Sequence, residues 1–179
     1  EFASFLDNYT RELNDSSVST VAIDTVRLEQ ETKAYYSAHG QALGLCKPRA
    51  WQHPKKLLFN RLYSGVGVLG YIGTNFVESH LNKDLLPLQY PYTYAHEYAH
   101  VLGVSNEAEA NWWAYMVCKE SSDPTVRYSA YYSLLPHVWI NARNILGKEE
   151  FAQWTRTIRP ETLASSPLSP AEEDTRGDL

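Results

Sequence analysis

The stretch Tyr92-Thr93-Tyr94-Ala95-His96-Glu97-Tyr98-Ala99-His100-Val101-Leu102-Gly103, followed three residues later by Asn106-Glu107-Ala108-Glu109-Ala110-Asn111, governs the reading of this chain. The first part has helical character. It closes on Gly103, the residue type that most readily takes the left-handed conformation ending a helix. His96 and His100 are four apart and lie one turn from each other on one helix face. Both imidazoles can therefore reach one ion about 2 Å from each nitrogen. Glu97 stands beside that ion, not on it, and can take a proton from a water that the ion activates. A zinc site needs a third protein ligand and keeps its fourth position open. Glu107 lies seven residues past His100, beyond the glycine turn. Two antiparallel helices joined at Gly103 would return it to the histidine face. Glu109 is the rival, but on a helix it points about 200° away from Glu107, so both cannot face one ion. Asn111, one turn beyond Glu107 on the same face, can hold a histidine's outer N–H.

Working outward, Phe2, Phe5, Leu6, Tyr9 and Leu13 recur at helical spacing, and Asn14-Asp15-Ser16-Ser17 breaks the pattern. A second helix is expected from Ser19 to about Leu43, with Gly40, Gly44 and Pro48 at its end. The segment from Leu57 to Leu86 is the most β-like and should hold two or three short strands. Its Gly65-Val66-Gly67-Val68-Leu69-Gly70 fits G-x-G-x-x-G, but the next residues, Tyr71-Ile72-Gly73-Thr74-Asn75, read as turn and strand where a dinucleotide site needs a helix. After the two helices of the central stretch, Asp123-Pro124 opens a third that extends to about Leu146 across Pro136. A fourth spans about Glu149 to Ile158 and stops at Pro160. Ser165 to Pro170 reads as a linker, and Ser169-Pro170-Ala171-Glu172 as the start of another helix. The chain is thus expected to be one domain. Residues 1–46 form N-terminal helices, 47–160 the core, and 161–179 a linker with a cut helix start.

Composition narrows the classes. With 44% apolar and 21% charged residues over 179 positions, the chain is an ordinary globular domain, not a rod, a collagen or a disordered polymer. A net charge of −5 argues against a phosphate-backbone partner, so no nucleic acid is expected. Cys46 and Cys118 are too few for a disulfide framework or a thiolate zinc cage. No run approaches the roughly 18 apolar residues of a membrane span. With Glu1 in place of Met, the chain is expected to be a processed product or an excised piece, with room for a membrane anchor outside these residues. The aromatics, 13 Tyr among them, cluster from Tyr90 to Trp154 and read chiefly as helical core. Tyr128 and Tyr131 are candidate phenol donors to the oxyanion that peptide hydrolysis would generate.

The segment Glu107-x-Glu109-Ala110-Asn111 resembles the E-x-E-A-[DN] segment of gluzincins, zinc peptidases whose first Glu binds the metal; this favours Glu107. A wider set of residues resembles the domain-of-unknown-function 3810 family. It comprises Tyr71-Ile72 through Asn82, Leu86-Pro87, Pro91-Tyr92-Thr93, the central stretch and Arg127-Tyr128-Ser129-Ala130-Tyr131. That is a bacterial family of zincin-like proteins with membrane-spanning helices ahead of the soluble part. The resemblance covers about Lys47 to Pro160 and departs at Gly73-Thr74-Asn75, where the family more often has an aromatic-proline stretch. It implies a zinc ion, a protease-like site and a membrane anchor, with this part on the periplasmic side.

The expected fold is α+β and zincin-like: a small, mostly antiparallel sheet packed on the two metal-binding helices, with further helices at both ends. A strand edge within Tyr71 to Leu81 would hold an extended peptide or protein substrate. The expected function is zinc-dependent peptide hydrolysis, with one Zn2+ on His96, His100 and Glu107 and with Glu97 as general base. The alternative is a catalytically silent zinc-binding module with a regulatory or partner-binding role. A purely structural site would tend to be closed, which disfavours that alternative.

Overall fold

The computed structural model describes residues 1–15, 18, 23–56, 70–73, 78–81 and 88–166. Among them are seven α-helices: α1 (Phe2–Leu13), α2 (Thr25–His39), α3 (Tyr90–Val101), α4 (Glu107–Lys119), α5 (Pro124–Ile145), α6 (Lys148–Thr157) and α7 (Pro160–Ser165). Three short strands complete the set: β1 (Lys55–Lys56), β2 (Gly70–Gly73) and β3 (Glu78–Leu81).

This corrects the expected α+β class: the protein is helical. The strands are only two to four residues long, short of the five or six typical of a sheet that carries a core. They are ordered β1-β3-β2, with β3 antiparallel to β2 (Tyr71 opposite His80) and parallel to β1 (Lys55 opposite His80). Among the described residues, β2 and β3 contact α3. The physical reason is length. A segment with β-forming side chains but frequent glycines supports hairpin-sized pairing, whereas the helices bury long apolar stripes. The Gly65–Leu69 part of the glycine pattern and Asn75 lie outside the described residues, as do the expected start at Ser169 and everything after Ser166.

Contacts divide the chain into two compact units, residues 1–18 with 131–179, and residues 19–130. In the first unit, Leu6, Tyr9 and Leu13 of α1 are buried, together with Tyr132, Leu135, Trp154 and Ile158. Trp154 Nε1–H donates to Thr10 Oγ1 at 3.0 Å. Asn14 both donates to the Thr157 carbonyl at 2.7 Å and accepts from the Arg159 N–H at 3.0 Å. Pro160 does not merely stop α6: it sits in the first turn of α7, where its missing N–H costs nothing, so part of the expected linker is helix.

The second unit carries the central stretch. The Asp24 carboxylate accepts from the N–H groups of Val26 and Arg27, both at 3.1 Å, which sets the start of α2 at Thr25 and not at Ser19. Tyr36 of α2 is buried against Tyr98 and Trp113, ring centroids 5.7 and 5.2 Å away. Its phenol donates to the Ala95 carbonyl at 2.9 Å. Ala95, Ala99, Ala110 and Ala114 are completely buried, so small side chains let the α3 and α4 backbones approach closely. Trp113 is core, but its neighbour Trp112 stays 46% exposed.

Candidate metal centre

The turn between α3 and α4 is built in a way that aims His100. Gly103 has φ +107°, the left-handed region. Around it the Gly103 N–H donates to the His100 carbonyl at 3.0 Å and the Val104 N–H to the Ala99 carbonyl at 3.1 Å. That pair of bonds is the Schellman arrangement, in which a left-handed residue satisfies the last helical carbonyls. It turns the Val104 carbonyl back toward the helix, where it receives His100 Nδ1–H at 2.6 Å. A carbonyl can only accept, so Nδ1 carries a proton; of the two neutral tautomers, this is the one that leaves the lone pair on Nε2. On the far side of the turn, Asn106 caps α4 by accepting from the Glu109 N–H at 3.0 Å.

A Cβ at Gly103 would meet nothing within 4 Å, so replacement there costs only backbone strain. Gly103→Ala is expected to destabilise the fold by about 1–2 kcal/mol, read from the denaturation midpoint. An unchanged midpoint would count against the turn as the device that sets His100.

The antiparallel return brings three predicted ligands together. His96 Nε2 and His100 Nε2 are 3.1 Å apart. Glu107 Oε2 lies 3.2 Å from His96 Nε2, and Glu107 Oε1 lies 3.5 Å from His100 Nε2. Two donors on one tetrahedral ion with 2.0–2.1 Å bonds sit about 3.3–3.4 Å apart, so the three separations fit a single small cation. Among the described residues these three form the one group of metal-ligating side chains that converge in this way. Burial, and after it the neighbouring His100, push His96 below its ordinary pKa of 6.5, against the opposing pull of Glu107 and the Asn111 amide. That direction favours the neutral ring, the form a metal ligand needs. The His100 side chain is 3% exposed and that of Glu107 74%, so the centre opens to solvent on the Glu107 side.

Glu97 is buried on α3, about 100° round the helix from His96, beside the ligand face. Glu109 is exposed and two residues from Glu107, on another face of α4. Tyr128 is buried on the first turns of α5. Tyr131 falls in the first unit, where its ring meets that of Tyr9 edge-on at 5.5 Å and its carbonyl accepts from the Tyr9 hydroxyl. Asn111 Oδ1 accepts from the Tyr92 phenol at 3.1 Å. The sequence reading did not find the roles of the Val104 carbonyl and of Tyr92. The left-handed glycine was a usable signal for Val104, since a Schellman turn fixes where the next carbonyl points. Tyr92 had one too: it is four residues before His96, on the same helix face.

These observations define a helical protein with a candidate three-ligand metal centre of H-E-x-x-H type. A family model described as "Protein of unknown function (DUF3810)" matches residues 1–166, and the chain belongs to that family. The match includes α1 and α2, which the sequence resemblance from Lys47 did not reach. No curated protein and no solved structure matches the chain. No helix of the described residues is long and apolar enough to cross a membrane.

Proposed function

We propose that this chain is a zinc-dependent peptidase of gluzincin type, with His96, His100 and Glu107 as metal ligands. The observation that carries the reading is the set of separations of 3.1, 3.2 and 3.5 Å among two imidazole nitrogens and one carboxylate. Two imidazoles and a carboxylate suit zinc before other divalent ions. Zinc held there would polarise a substrate carbonyl and acidify a water molecule. The chain's own part is proton handling and orientation. Glu97 receives a proton from the attacking water on a carboxylate oxygen as that water's oxygen bonds to the carbonyl carbon. It returns the proton to the leaving nitrogen as the C–N bond breaks. The Val104 carbonyl keeps His100 in the tautomer that presents Nε2. The exposed Glu107 side leaves room for an extended peptide to approach.

The test is elemental analysis of the purified chain paired with cleavage of a broad peptide library. One zinc per chain and a cut peptide are expected. A chain that holds no zinc, and takes up none when it is added, would sink the reading. Stoichiometric zinc with no cleavage would turn it toward a silent zinc-binding module.

A further inference from the structure

A histidine that binds metal through Nε2 carries its proton on Nδ1. A buried N–H left without an acceptor costs about 1–3 kcal/mol. For His100 the Val104 carbonyl solves this. His96 has no such answer from the backbone: its Nδ1 is buried and has no hydrogen bond among the described residues. On the neighbouring helix, Asn111 lies one turn past Glu107, which meets His96, and it contacts Tyr92, which lies one turn before His96 on α3. That amide is not free to choose its orientation. The Tyr92 phenol donates to Asn111 Oδ1 at 3.1 Å and also lies 3.2 Å from the Asn111 main-chain carbonyl. Tyr92 is itself fixed, being 7% exposed with its N–H donating to Ser129 Oγ at 3.0 Å. Burial, and after it Cys118, pushes this phenol well above its usual pKa, so it remains a donor.

Spacing makes the arrangement regular. Tyr92, His96 and His100 succeed one another every four residues along α3, and Asn111 and Glu107 do so along α4. The helices run in opposite directions, so Glu107 meets the two histidines while Asn111 meets Tyr92. We propose that Tyr92 is a positioning residue of the metal centre: by holding Asn111 Oδ1 with its hydroxyl, it aims that oxygen's second lone pair at His96 Nδ1–H. The tautomer and ring plane of His96 are fixed through this relay. An amide oxygen has two lone pairs and can accept from both groups. Without the phenol the amide can turn its NH2 toward His96, setting donor against donor. This inference rests on the reading of the site as a metal centre.

The experiment measures zinc affinity by competition with a chromophoric chelator in wild type, Tyr92→Phe, Asn111→Ala, the double variant and Tyr92→Phe/Asn111→Asp. Partners of this kind are worth about 10–100-fold in metal affinity. Asn111→Ala should lose about that much, and Tyr92→Phe about tenfold with its ring packing kept. In the Asn111→Ala background, Tyr92→Phe should cost much less, because the amide it orients is gone. Asp at position 111 has two equivalent acceptor oxygens and needs no orienting, so it should restore most of the affinity lost by Tyr92→Phe. Cobalt-substituted Tyr92→Phe should also show a changed visible absorption spectrum, a signature that a remote packing role would not move. The relay is overturned if Tyr92→Phe binds zinc as wild type does, or if it costs the same with and without Asn111. A wild type that binds no zinc overturns the reading of the site and the relay with it, so the two failures are told apart.

Discussion

Replacing Glu97 by Gln should leave zinc bound in stoichiometric amount and lower turnover by roughly 10²–10⁴-fold, the usual worth of a positioned general base. Glu97 follows His96 on α3 and is buried about 100° round the helix from it, the basis for proposing it as the base and not as a ligand. Gln keeps the size and hydrogen-bonding shape of the side chain and removes only the basic oxygen. His96, His100 and Glu107 are untouched, so metal content should match wild type by elemental analysis. Rates are then compared on whichever library peptide the wild type cuts. Unchanged cleavage with zinc in place would show that Glu97 is not the base.

The second large effect separates two glutamates that differ little on paper. Glu107→Gln should weaken zinc binding by more than the about 100-fold that loss of an outer hydrogen-bond partner can cost, because it removes a ligand. Glu109→Gln should cost little. Glu107 oxygens lie 3.2 and 3.5 Å from the two histidine nitrogens, while the Glu109 carboxylate is exposed on a different face of α4. Chelator competition on both variants decides the matter, and equal losses would refute the assignment. Both fold effects should be small. Glu107 is so exposed that its pairing with the histidines is a weak stabiliser without an ion between them.

Local rules made much of this protein readable in advance. The Leu6, Tyr9 and Leu13 stripe marks α1. The Asp123-Pro124 pair marks the start of α5, where the Asp123 carboxylate accepts from the Thr125 N–H at 2.8 Å. Gly103 marks the end of α3. Each reflects forces acting within one or two turns, which a linear pattern encodes fully. The same holds for His96 and His100: helix pitch alone puts residues four apart on one face.

The middle segment holds two of the short strands its side chains suggest, but they do not set the fold class. The glycine-rich middle segment reads as β because of its side chains, yet strand pairing is non-local, and the strands described there are too short to define the fold class. The apolar periodicity that suggests a helix from Ser19 runs past the capping residue Asp24, where α2 begins. By itself the sequence determined the helices, the turn and the histidine pair, because these depend on backbone geometry over a few residues. Only the tertiary structure decided that Glu107 meets both imidazoles, that Val104 holds His100 and that Tyr92 holds Asn111. Those contacts depend on how closely α3 and α4 approach, and buried alanines on both helices set that approach.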